Sequence, residues 1–148
     1  MPSNAVTVDT SDLIPLMKAL NGVSAELRAN ANKRLRAAAG DCARGLIPEL
    51  QASAARSATP QARLVASTAK VSSDRVPVLV VGGSRRVGRN KTPAGRLAWG
   101  SERGGRNFAA SPGGNYWIAP AVDAYGRSGA LDNYRAAVAG ILSDAGVL

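Results

Sequence analysis

The chain has no histidine, so the commonest general base and the commonest zinc ligand are both missing. A Ser-His-Asp or Cys-His catalytic set cannot be assembled within it. Cysteine is nearly absent as well: Cys42 stands alone, which excludes an internal disulfide and gives no sign of an oxidising compartment. It sits in an alanine-rich helical pattern with only Arg36 and Arg44 nearby to lower its pKa, and reads as a small buried thiol. No apolar run approaches the ~20 residues that cross a bilayer. The start "MPSNAVTVDTSD" lacks the basic residues and apolar stretch of a signal peptide. A soluble protein made in a cytoplasm, with no membrane partner, is expected. Aromatic residues form only 4% of the sequence, so the alanine-rich helices favour close packing over a bulky core.

Carboxylates are scarce where cations are dense. The formal net charge is +9 and the pI near 10.8, values that suggest an anionic partner or a charged assembly surface but say nothing of fold. Residues 1–58 carry seven basic and five acidic groups, residues 59–110 carry ten and two, and residues 111–148 carry two and three. The excess belongs to the middle, and above all to "GGSRRVGRNKTPAGRLAWGSERGGRNF", where seven Arg and Lys residues face one carboxylate, Glu102. Gly83 and Gly88 have the spacing of a phosphate-binding loop, but Arg89 and Asn90 stand where Lys and Ser or Thr are required. Lys91 and Thr92 come late, and Pro93 follows where a helix should open toward the anion. A nucleotide site is therefore rejected, and no cofactor or metal is expected.

The 148 residues fit one domain. Thr10, Ser11 and Asp12 offer N-cap oxygens for a helix with Pro15 in its first turn. Leu13, Leu16, Met17, Leu20, Val23, Leu27, Ala31, Leu35, Ala38, Cys42, Leu46 and Leu50 recur at helical steps, predicting a buried stripe. Asn21 and Gly22 break it into a short helix and a long one that Pro48 kinks near its end, with Arg28, Lys33 and Arg36 outward. After "SATPQ", alternation in "ARLVASTAKVSS" and the β-branched run "RVPVLVVGG" predict a hairpin turning at Asp74 and Arg75. Pro77 suits an edge position or the first residue of the second strand. Residues 83–96 offer Val87 as the one aliphatic side chain beyond Ala and Pro, and read as a basic loop, mobile in the isolated chain. A strand at "RLAWGSE", the segment "YWIAPAVDAYG" and a last helix with Leu131, Tyr134, Val138, Ile141 and Leu142 on one stripe complete the order. The expected architecture is α+β: N-terminal helices, one long and kinked, and a C-terminal helix packed on a small antiparallel sheet, with a long basic loop.

The capped helical half, the hairpin "RLVASTAKVSSDRVPVLVVGG", the variable loop, "LAWGSERG", an aromatic followed by "IAPAVD" and the final amphipathic helix resemble the small neck and minor tail proteins of long-tailed phages. Trp99, Gly100, Ser101 and Glu102 look like that family's acidic-glycine turn, and Pro120, Ala121, Val122 and Asp123 like its Pro-Ala step. The resemblance spans nearly the whole chain and is one of order and spacing. The chain departs from it at Arg85–Arg106, which is longer and more basic, and at "GRSG", which interrupts the last helix. It implies a virion structural protein at the head-tail junction: a neck, tail-completion or tail-terminator component forming or joining a ring, six copies by the resemblance, beside head-completion and tail-tube proteins.

An alternative is a nucleic-acid-binding module using Arg85, Arg86, Arg89, Lys91, Arg96, Arg103 and Arg106 on phosphates, with Trp99 and Phe108 stacking on bases. Under the ring reading the same cations, with Trp99, Tyr116 and Trp117 as aromatic anchors, are candidates for contacts between subunits or with packaged DNA. Enzymatic activity is not expected: Glu102 and Asp123 lack acid/base spacing and read as turn and cap residues.

Overall fold

Proline, serine and glycine set the helix boundaries. In the computed structural model, which describes residues 5–7, 9, 11–57, 59–103 and 116–148, Pro15 lies in the first turn of α1 (Ile14–Ala19), where its missing amide hydrogen costs nothing. Neither Ser11 nor Asp12 caps this helix. Leu13 occupies the cap position without a side-chain bond, and Asp12 is paired instead with Arg135 at 2.6 Å; Thr10 lies outside the described residues. A 3₁₀ turn over Leu20–Gly22 marks the expected break. Ser24 then accepts a hydrogen bond from the Leu27 amide at 3.3 Å and opens α2 (Ala25–Arg44). The long helix bends as anticipated, with the break at Gly45. Pro48, in the first turn of α3 (Leu46–Arg56), offers no amide to the Arg44 carbonyl and sterically excludes it. Gly45 has a further reason to lack a side chain, because a Cβ there would strike the hydroxyl of Tyr125, which donates to the Cys42 carbonyl.

The predicted strand at 62–73 is largely a helix. Residues Gln61–Ala66 form α4, and only Lys70–Val71 are extended, as β2. The reason lies in burial: Ala62, Val65 and Ala66 all point inward, a spacing of three and four that a helix satisfies and an alternating strand cannot. β2 and β1 (Ala5–Thr7) flank β3 (Val78–Val80) in an antiparallel sheet of order β1-β3-β2, with Thr7 opposite Val78 and Val71 opposite Leu79. Pro77 thus directly precedes the first residue of the central strand, where no ladder bond is lost.

The segment expected as an unstructured basic loop is also folded. β4 (Arg86–Val87) and β5 (Thr92–Pro93) pair antiparallel, and the predicted strand and turn at 97–102 belong to a helix, α5 (Ala94–Arg103). Ala94, Ala98 and Ser101 bury one small-residue face of α5 against α4. The chain resumes with α6 (Ile118–Gly126), is interrupted at residues 127–129 as the "GRSG" sequence foretold, and ends in α7 (Ala130–Asp144).

Two cores result. α1, α2 and α7 bury Met17, Leu20, Leu35, Tyr134, Val138 and Leu142, while α3 to α6 with β3 bury Leu46, Leu50, Val65, Leu79 and Trp117. The expected stripe is inward at Leu35, Cys42 and Leu46, but Leu27 is 45% exposed and Arg28 is half-buried. The Arg34–Asp144 ion pair explains Leu27: it sets the last turn of α7 opposite residue 34, so the first turns of α2 run beyond the helix that covers the rest.

Candidate functional site

The basic hairpin is built by backbone geometry rather than by side-chain burial. Gly82 and Gly83 take left-handed conformations, φ 94° and 86°, that turn the chain out of the central sheet. The Gly82 amide donates to the buried Thr68 hydroxyl at 2.8 Å, and that hydroxyl donates to the Val65 carbonyl at the end of α4. At the hairpin base the Ala94 amide donates to the Arg85 carbonyl and the Gly95 amide to the Gly83 carbonyl, each at 2.8 Å. A Cβ on Gly95 would lie 3.0 Å from that Gly83 oxygen, which accounts for glycine there. Val87 pairs with Thr92, and the turn between them uses left-handed Gly88 (φ 75°) and Lys91 (φ 52°). The tip rests on α4, where a Cβ on Gly88 would stand 3.3 Å from Leu64 Cδ1. Gly83 and Gly88 are therefore turn glycines of a hairpin.

On this frame Arg85, Arg86, Arg89, Lys91 and Arg96 are all exposed. Arg86 donates to the Lys91 carbonyl at 2.8 Å, which straps the hairpin across its turn. Among the described residues none of the five forms an ion pair. The ion pairs found there, Arg34–Asp144, Arg44–Asp41, Arg127–Asp123 and Arg135–Asp12, belong to α2, α6, α7 and the segment before α1. Lys18, Arg28, Lys33 and Arg36 on α1 and α2 likewise form no ion pair there, so the hairpin is set apart by the density of its cations and by the lack of any carboxylate between Arg75 and Ser101. Of the remaining candidates, Trp99 and Arg103 lie on α5, and Arg106 and Phe108 fall outside the described residues.

Trp117 is a correction. Far from lining an interface, it is wholly buried, 0% exposed, in the core of α3 to α6. Its indole nitrogen donates to Ser101 Oγ at 3.1 Å, and its carbonyl accepts from Ser53 Oγ at 2.6 Å, so both polar ends are satisfied inside the chain. Tyr116 next to it is 55% exposed. Glu102, 9% exposed, reaches from the end of α5 to the start of α6. One oxygen accepts from the Trp117 and Ile118 amides at 2.7 Å each, the other from the Ala119 amide at 3.0 Å. A carboxylate on the orphan amides of a helix start is a favourable cap, helped by the helix dipole. Glu102, expected in a turn, instead lies near the end of α5 and caps a helix whose first residue, Ile118, is sixteen positions later.

A cavity of about 300 Å³ lies where the two cores meet, lined by Cys42, Leu46, Pro77, Leu79, Tyr125 and Leu131. Burial raises the Cys42 thiol above its ordinary pKa, against a smaller opposing effect from the Tyr125 hydroxyl, and so favours the unreactive thiol. Burial also raises Tyr125, and the phenol of Tyr134 is pushed up to about 12. Among the described residues there is no cluster of three metal-ligating side chains, and no helix is long and apolar enough to cross a membrane. No family model matches the chain, and no curated protein or solved structure is significantly similar to it.

Proposed function

We propose that this chain is a structural protein of a tailed-phage virion that forms or joins an oligomeric ring at the head-tail junction. The observation that carries the reading is the Glu102 clasp. Two of the segments that enter the resemblance, "WGSE" and "WIAPAVD", are bonded to each other through three backbone amides and act as framework. The bent helix Ala25–Arg56, the antiparallel pair β2 and β3 and the C-terminal helix α7 follow the order that the resemblance implies, while α5 stands where it implies a strand and turn and the break at 127–129 departs from it. The outer edges of β1 and β2 have no partner strand among the described residues, and open edges invite pairing with another chain. A ring of identical copies joins one patch to a different patch on the next copy and closes when the rotation fits.

Native mass spectrometry tests the reading. The chain alone, or mixed with the head-completion and tail-tube proteins of its phage, should give a discrete multiple of the 15.1 kDa subunit. Electron microscopy of particles carrying a tagged copy should place the tag at the neck. A chain that stays monomeric with every neighbour, together with particles that join heads to tails without it, would overturn the proposal.

A further inference from the structure

We infer that the β4–β5 hairpin binds the phosphate backbone of duplex DNA, independent of sequence. The inference names the partner of the basic surface, and rests on the virion reading only for which DNA is met, the packaged genome. From Arg75 to Ser101 the chain contains no carboxylate, and Arg85, Arg86, Arg89, Lys91 and Arg96 are exposed with no ion pair among the described residues. The Gly82–Thr68, Gly95–Gly83 and Ala94–Arg85 hydrogen bonds hold the base of the ribbon that carries Arg85, Arg86, Arg89 and Lys91, and Arg96 follows in the first turn of α5.

The nature of the partner follows from what surrounds those charges. A second copy is a poor match. Asp12, Asp41, Asp123 and Asp144 are already paired, Glu102 is buried at the start of α6, and Asp9, Glu26, Glu49, Asp74 and Asp132 are scattered over separate elements. Among the described residues, no one element carries carboxylates at the density of the hairpin's cations. An acidic protein surface is disfavoured because protein interfaces are anchored by aromatic or aliphatic side chains in desolvated pockets. The hairpin offers only half-buried Val87, Thr92 and Pro93 among cations. Single-stranded nucleic acid calls for aromatic stacking platforms, and none lies on the hairpin. Exposed Arg and Lys without base-reading or apolar partners suit a duplex backbone, whose contacts position without specifying sequence. A two-stranded ribbon is also of a size that the major groove admits.

Fluorescence anisotropy with the full chain and a random 24-bp duplex, titrated from about 50 to 200 mM salt, tests this. Each phosphate contact contributes about 0.9 to the slope of log K against log salt. Replacing Arg85, Arg86 and Arg89 by Ala should therefore flatten the slope by roughly 2–3 units. The charge-preserving triple Arg85→Lys, Arg86→Lys, Arg89→Lys should keep it, which guards against a misfolded alanine variant. Removing three exposed charges elsewhere, Lys18→Ala, Lys33→Ala and Arg36→Ala, should change it by less than about one unit. The inference is overturned by no binding at the lowest salt, by equal flattening in the helix-surface triple, or by polyglutamate displacing the duplex at equal charge concentration. Assembly is read on the same variants. Loss of DNA binding with intact rings leaves the virion reading standing, whereas DNA binding by a chain that never joins a particle removes that reading alone.

Discussion

Replacing Glu102 by alanine should unfasten α6. The carboxylate accepts three backbone hydrogen bonds at 2.7, 2.7 and 3.0 Å while 9% exposed. The Trp117 amide is buried, so its loss of a partner costs about 1–3 kcal/mol. Ile118 is half-buried and Ala119 exposed, so water can reach their amides and each loss is nearer 0.5–1 kcal/mol. Adding the cap's favourable interaction with the helix dipole, about 0.3–1 kcal/mol, the total is about 2–6 kcal/mol. For a domain near this size that lowers Tm by roughly 10 °C. Glu102→Gln keeps one oxygen, which can serve the Trp117 and Ile118 amides after a flip, and should cost only about 1–2 kcal/mol. Urea denaturation gives the free energies, and amide exchange reports the site directly: protection at residues 117–119 should fall in the alanine variant before any global opening. An alanine variant that melts within a degree of the parent, or a glutamine variant as unstable as alanine, would refute the clasp.

Two further outcomes follow from burial. Leu35→Ala should cost about 2–5 kcal/mol in denaturant titrations because Leu35 is fully buried between α2 and α7, while Leu27→Ala, at a 45% exposed position, should cost under about 1 kcal/mol. Tyr134, whose hydroxyl donates to the Arg75 carbonyl at 3.0 Å, has its phenol raised from 10.0 to about 12 by burial first, with Cys42 and Asp74 raising it further and Arg135 opposing. A folded-state pKa above the unfolded value favours the neutral phenol. Its contribution is therefore complete below pH 10 and is lost as pH climbs from 10 to about 12. The stability gap between the parent and Tyr134→Phe should narrow across that window in alkaline melts, and a constant gap would contradict the assignment.

What the sequence disclosed and what it hid divide along a physical line. Helices whose burial rests on large aliphatic side chains were legible: the stripes of α2 and α7 carry Leu35, Val138 and Leu142 at the helical period. Elements packed through small residues were not. Ala94, Ala98 and Ser101 form the inner face of α5, and Ala62 and Ala66 that of α4, so neither shows a strong apolar rhythm. Over six residues such as Gln61–Ala66, alternation and helical spacing fit a run of Ala, Leu and Val equally well, and only the tertiary neighbour decides. A search for Ala, Ser and Gly at steps of three and four would have found α5.

The basic segment was legible as charge and illegible as structure, for a reason that bears on its role. Counting only apolar side chains, residues 83–96 cannot offset their ordering entropy. That count omits the backbone bonds to Gly83, Arg85 and Thr68, each worth about 0.5–1.5 kcal/mol net, and the turn glycines whose conformations need no side-chain support. A hairpin held this way leaves its side chains free. The buried polar groups that would usually draw attention, Glu102, Ser101 and Ser53, are committed to the start of α6 and to Trp117. The five exposed cations are committed to almost nothing, with Arg86 alone bonded back to the hairpin. On the DNA-binding reading, these unspent donors on a hydrogen-bonded frame make the hairpin, rather than the buried clasp or the apolar cavity, the place to seek a partner.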